Sequence, residues 1–304
     1  MAVYVVGDFL RETRLRKGYT QEEVSYGICT TASLSRIENG AQKPGRLILE
    51  KLFERMGTEN NLFNSFVSRE EMELYSEIQT LIRDITDEDV VKIEKQIDVV
   101  EKLAVNTTEL EHQCLYFAKG ELARQKEKDD KKAMEMYMKA IHITLPDFDG
   151  KNPLRNNLLT FDEIMIINAI AILHAKADDI MTAVQLGMWL KKYMEEKIVD
   201  GTMKIAKYPM ILYNLSNWLG RENCHKEALK MADLGIRFCI RYGNLAFFPI
   251  LVFNKGGALA ELGKIDQAKK YLHQSVTIFE AMDRPDLIQV ATDWCKLHYR
   301  IDIQ

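Results

Sequence analysis

Residues 27 to 40 read GICTTASLSRIENG, a thiol and several hydroxyls gathered ahead of one arginine and one glutamate. Two chemistries fit such a set. Cys29 could act as a nucleophile among proton carriers, or the small polar side chains could lead a helix into a groove of DNA. A catalytic thiol needs a neighbouring base and a lowered pKa, and no histidine precedes His112. Cys29 is therefore expected to be a small turn residue packed against the helix before it. Asparagines form a second set at Asn168, Asn214 and Asn254, with Asn217 one turn after Asn214. An amide offers both a donor and an acceptor, the pair that grips one peptide unit of an extended ligand. The competing reading is that each Asn fills a packing position or bonds to a neighbouring helix.

Other motifs carry less. Asp147 to Gly150 reads DFDG like the start of a calcium loop, but the twelfth position is Leu158 where the loop needs Glu. Cys224-His225 lacks partners at zinc spacing. A Gly-rich phosphate loop, HExxH and GxSxG are all missing. No catalytic residue, metal or cofactor is expected, and the chain does not read as an enzyme.

The 304 residues, 47% hydrophobic and 28% charged, suit a globular protein of two ordinary domains. Net charge is −4, and residues 1 to 60 hold nine Lys/Arg against eight Asp/Glu. That balance argues against wholesale polyanion binding and leaves room for a local patch. Five scattered cysteines without any Cys-x-x-Cys support neither a disulfide framework nor a zinc ribbon. No apolar run approaches the roughly 18 residues of a membrane span, so a cytoplasmic, non-membrane protein is expected. Apolar residues recur at three-and-four spacing almost throughout, and an all-α fold follows.

The groups in the first stretch need short, well-capped helices to present them. GDFLRETRLRKG reads as a helix stopped at Gly18. The next opens on Thr20-x-x-Glu23, a capping box, and runs to about Tyr26. After a break near Gly27 to Cys29, a threonine caps TASLSRIE, and Asn39-Gly40 supplies a left-handed stop. A further amphipathic helix follows in PGRLILEKLFERMG. Two short helices joined by a tight turn, the second burying Leu34 and Ile37, form a helix-turn-helix. Small residues at its leading end can approach base edges in a major groove about 12 Å wide. Arg36, one turn later, reaches a guanine edge or a phosphate.

TQEEV, LSRIENG and the basic-Pro AQKPG together resemble the phage-repressor or XRE-type helix-turn-helix, over roughly residues 7 to 56. The resemblance implies a phosphate contact from Gln21 and base reading by Thr31, Ala32 and Arg36. It places Ser33, Ser35, Asn39 and Lys43 against the DNA backbone, and a structural ion pair on Arg14 and Glu38. Gln21 to Glu38 spans 18 residues, one fewer than the usual pattern. That shortened turn, with ICxxxxxSRIExG, resembles the PlcR-type regulators.

The remainder is repetitive. LYFAKGELARQ, MIINAIAILHA, ILYNLSNWLGR and LVFNKGGALAE align without gaps from Leu115, Met165, Ile211 and Leu251, each followed by a helix entered through Ala133, Ala183, Ala228 or Ala268. Small residues at fixed places in helix pairs resemble tetratricopeptide repeats, here degenerate, with units 50, 46 and 40 residues apart. Residues 69 to 104 read as one more pair, and RPDLIQVATDWCKLHYR as a capping helix. The expected organisation is a helix-turn-helix DNA-binding domain and linker over 1–66, then a repeat domain over 67–304 forming a helical solenoid for peptide sensing and dimerisation. In such a solenoid the first helices line the concave face, so Asn168, Asn214 and Asn254 would stack as a ladder. Ala118 stands where the first rung would be, and Lys119 and Lys255 follow ladder positions.

A helix-turn-helix followed by such repeats resembles the peptide-pheromone sensors of Gram-positive bacteria, the PlcR/PrgX/NprR/Rgg (RRNPP) family, most of all its PlcR-type members. The resemblance implies a homodimeric transcription regulator that binds an operator in double-stranded DNA and a short signalling peptide in quorum sensing, the peptide held by Asn168 and Asn214, with Asn217 and Asn254 beside them. Two alternatives remain: repeats that only dimerise a DNA-binding regulator, and an adaptor whose repeats dock a folded protein.

Overall fold

The computed structural model describes residues 6–58, 69–86, 89–104, 109–154, 158–197, 199 and 201–299. Residues 59–66, the end of the expected 1–66 domain and linker, lie outside the described residues. Helices make up all the regular structure there, and none is long and apolar enough to cross a membrane. The chain is all-α, a helix-turn-helix followed by tetratricopeptide-like helix pairs. It divides into two compact units, Met1–Leu173 with Lys197–Asp200, and His174–Glu196 with Gly201–Gln304.

The first unit begins with α1 (Val6–Arg16), α2 (Gln21–Ser25), α3 (Thr31–Glu38) and α4 (Arg46–Arg55). Their ends follow from local chemistry. Thr20 Oγ1 accepts from the Glu23 N–H while the Glu23 carboxylate accepts from the Thr20 N–H, a closed capping box. Thr30 Oγ1 accepts from the Ser33 N–H at 3.0 Å and starts α3. Gly40, at φ +71°, stops it. Leu10, Val24, Leu34, Ile37, Leu52 and Phe53 share one core, which also takes in Leu110 and Leu158 from beyond the helix-turn-helix.

That unit continues through α5 (Arg69–Thr86), α6 (Val90–Leu103), α7 (Glu109–Leu122, extended by a π-turn over Ala123–Glu127), α8 (Asp130–Thr144) and the start of α9 (Phe161–Lys176). The second unit holds the end of α9, then α10 (Ile180–Glu196), α11 (Gly201–Arg221), α12 (His225–Tyr242), α13 (Phe248–Glu261), α14 (Ile265–Ala281) and α15 (Pro285–Tyr299). The four aligned segments fall on α7, α9, α11 and α13, and Ala133, Ala183, Ala228 and Ala268 enter the helices after them, each 2% exposed or less. Close approach explains the small residues. A Cβ on Gly256 would stand 2.7 Å from the Leu272 side chain, so α13 and α14 meet where one partner has almost no side chain.

Candidate nucleic-acid interface and ligand groove

Helix α3 turns Leu34 and Ile37 into the core, which leaves Thr31, Ala32 and Arg36 exposed and Ser33 and Ser35 half-buried on its outer side. Asn39 and Lys43 lie exposed just beyond its end. No acidic residue stands in its first turn, so the positive end of the helix dipole is uncancelled where a phosphate would approach. Arg36 is braced across the helix. Its Nε donates to Gln42 Oε1 at 3.0 Å and its Nη2 to Ser33 Oγ at 3.2 Å. Gln42 was not singled out in the sequence, because a loop glutamine after a helix stop gives no periodic signal.

Arg14 holds α1 to the end of α3. Its Nε and Nη2 donate to the two Glu38 carboxylate oxygens at 2.6 and 2.8 Å, and its Nη1 to the Tyr19 carbonyl at 3.0 Å. Burial pushes the Glu38 carboxyl up, but the bonds from Arg14 and Gln21 and the Arg14 charge outweigh it and hold the group below the usual carboxylate range. Gln21 Nε2 donates to Glu38 Oε2 at 2.8 Å, which fixes this half-buried amide at the start of α2. Cys29 packs against the helix-turn-helix core. Burial raises its thiol, the opposite of what a nucleophile requires.

The second unit contains a groove of ≈ 490 Å³. Helix α11 contributes Tyr213, Ser216, Asn217 and Arg221, α13 contributes Ile250, Phe253, Asn254 and Glu261, and α15 adds Leu287, Val290, Trp294 and His298. Phe253 meets Trp294 edge-on with ring centroids 5.5 Å apart, and Trp294 lies 4.7 Å from the His298 ring. Also in the lining, His225 Nε2 is 3.9 Å from Glu261, and its Nδ1 has no hydrogen-bond partner among the described residues. The lining thus combines an aromatic cluster with polar groups.

The asparagines divide between these settings. Asn217 is exposed and lines the groove together with Asn254, whose Nδ2 donates to Ser216 Oγ at 2.6 Å and to the Tyr213 carbonyl at 3.4 Å. Asn214 is 7% exposed and does not line it. Asn168 is 3% exposed and belongs to the first unit. Lys255 pairs with Asp233 at 2.7 Å and Lys119 with Glu101, so both are drawn into ion pairs. The groove aromatics escaped the sequence reading because helical spacing shows that they share a face and not which neighbour they face.

The family model described as Helix-turn-helix (HTH_3) matches residues 10–59. The uncharacterized HTH-type transcriptional regulator YqaF of Bacillus subtilis (strain 168) is 36% identical over 63 residues, 20% of this chain and 83% of YqaF. Among solved structures, PlcR of Bacillus thuringiensis in complex with the peptide PapR7 and DNA is similar with a TM-score of 0.60 at 18% identity, covering 94% of this chain and 98% of PlcR. Its apo form gives 0.58 at 17% identity over 95% and 98% of the two chains. Apo ComR of Streptococcus vestibularis gives 0.51 at 13% identity over 96% and 97%. At these identities the similarity to the solved structures is one of fold.

Proposed function

Because the chain belongs to the HTH-type transcriptional regulators, we propose that α3 reads an operator half-site in the major groove and that the repeats bind a short signalling peptide and pair two copies. In this reading Thr31, Ala32 and Arg36 face base edges, while Gln21, Ser33, Ser35, Asn39 and Lys43 face phosphates. The PlcR structure with a peptide and DNA, whose fold this chain shares, supports the assignment. The observation that carries the sensing half is the ≈ 490 Å³ groove lined by Asn217 and Asn254 together with Phe253 and Trp294. Amides there meet peptide units, and Phe253 and Trp294 receive an apolar or aromatic side chain. A peptide that fits one arrangement of the two heads better than another shifts the population toward it.

Calorimetric titration of the full chain with short apolar peptides tests the sensing half. Asn217→Ala is expected to weaken binding by at least about tenfold, the loss of one buried polar contact in a ligand site, with operator binding unchanged. No heat from any peptide, with operator binding intact, would sink it. Arg36→Ala is expected to cost about 1–3 kcal/mol of operator affinity, selective for one base position. A loss uniform across sequences would make Arg36 a phosphate contact. The engaged amide of Asn254 favours a second reading, in which these asparagines tie helices together and the repeats only dimerise. Asn254→Ala separates the two: lost thermal stability with full peptide affinity supports that second reading.

A further inference from the structure

The turn of the helix-turn-helix is gripped from behind. Tyr26, which caps α2, directs its hydroxyl to Asp147 in the connection between α8 and α9, and its carbonyl accepts from Arg55 Nη1 on α4. Gly27 follows at φ +69°, so near that connection that a Cβ would stand 2.0 Å from the Thr144 carbonyl oxygen. Arg55 Nη2 donates to Glu163 on α9, with both side chains 0% exposed. The second Glu163 oxygen accepts from the Thr160 N–H at 2.6 Å and closes the cap of α9. Beside them Lys51 reaches Asp162 at 2.9 Å, and Glu54 accepts from the Phe161 N–H at 3.2 Å.

A buried ion pair is a costly way to hold two helices together, since both charges leave water. The cost is higher here because Arg55 Nε finds no partner among the described residues. Apolar side chains of the same volume would adhere as well or better. What the forked guanidinium supplies is direction: one prong holds the turn ahead of α3, and the other holds the first turn of α9.

We propose that Arg55 and Glu163 are positioning residues for operator recognition, fixing α3 at one angle to α9 and so setting which half-site separation a dimer can bridge. The grip on a single half-site does not depend on them. The proposal rests on the reading of the chain as a dimeric operator binder. A dimer engages both half-sites only when their separation matches the distance between its heads, so a loosened head tolerates more separations at the cost of its preferred one.

The test uses the full chain and duplexes selected by the wild-type protein from a random pool. Binding is measured to one half-site and to two half-sites whose separation is stepped by one base pair around the selected value. Wild type is expected to fall about tenfold one step either side of its optimum. R55M/E163Q, which keeps an acceptor for the α9 cap, is expected to bind one half-site within about twofold of wild type and to vary less than about threefold across the series. A wild-type separation profile in this variant would overturn the proposal. So would a single-half-site loss as large as the two-half-site loss, which marks the pair as part of the head's own fold. A wild type that binds two half-sites no better than one removes the dimeric reading itself, and the proposal with it. If R55M/E163Q does not fold, Glu163→Gln alone, which removes the charge facing Arg55 and keeps an acceptor for the α9 cap, is expected to broaden the profile in part. An unchanged profile there overturns the proposal equally.

Discussion

Gly27→Ala is expected to destabilise the protein by about 3–5 kcal/mol and Gly18→Ala by only about 1–2 kcal/mol, the ordinary cost of a left-handed residue with a Cβ. The two glycines have nearly the same backbone, φ +69° and +74°. What differs is the space around them. A Cβ on Gly18 meets nothing within 4 Å, whereas one on Gly27 lands 2.0 Å from the Thr144 carbonyl oxygen. Backbone cannot yield there as a side-chain tip would, so either the turn or the end of α8 must move. Urea unfolding measures the difference, provided the m-value is unchanged. Equal losses at the two positions would mean that the turn does not press on Thr144.

Glu38→Ala is expected to cost about 3–5 kcal/mol, because Arg14 would keep its charge in a buried place without its partner. Replacing both by apolar residues is expected to cost much less, and a double-mutant cycle separates the pair from its surroundings. The pair also has a pH signature. The Glu38 carboxyl is depressed in the folded protein, so its contribution is present above its unfolded pKa of about 4.3 and is lost as pH falls through the lower folded value. Thermal melts between pH 3 and 6 are expected to fall more steeply for wild type than for Glu38→Gln. Identical slopes would show that the pair does not titrate with unfolding. Glu54 has the opposite sign. Burial pushes its carboxyl up to about 7 against the charge of Lys51, so its contribution is present below the unfolded value and is lost as pH rises through about 7.

The features legible in the sequence were those that local chemistry decides. Thr20 with Glu23 and Gly40 mark helix ends wherever they occur, because each satisfies backbone groups within a few residues of itself. The alanines at 133, 183, 228 and 268 were legible because they recur, and recurrence survives uneven spacing. Arg55 and Lys51 were not read, although a trace was there. Both are charges at buried positions of α4, where an amphipathic helix should be apolar, and a charge in that place asks for a counter-ion. The sequence does not show that the counter-ions are Asp162 and Glu163, more than a hundred residues on. Asn254 illustrates the same limit: its helix face was legible, while the commitment of its Nδ2 to Ser216 depends on how α11 and α13 are set.

The cap of α9 also limits what residues 6–56 can be joined to. Glu163 both starts that helix and neutralises Arg55, so residues 6–56 are not an interchangeable cassette. Grafted onto another set of repeats, they would present the Arg55 and Lys51 charges to whatever lies beneath, and a recipient without acids at those places would leave them stranded. Such chimeras are expected to stay insoluble until a glutamate is restored at the position of Glu163.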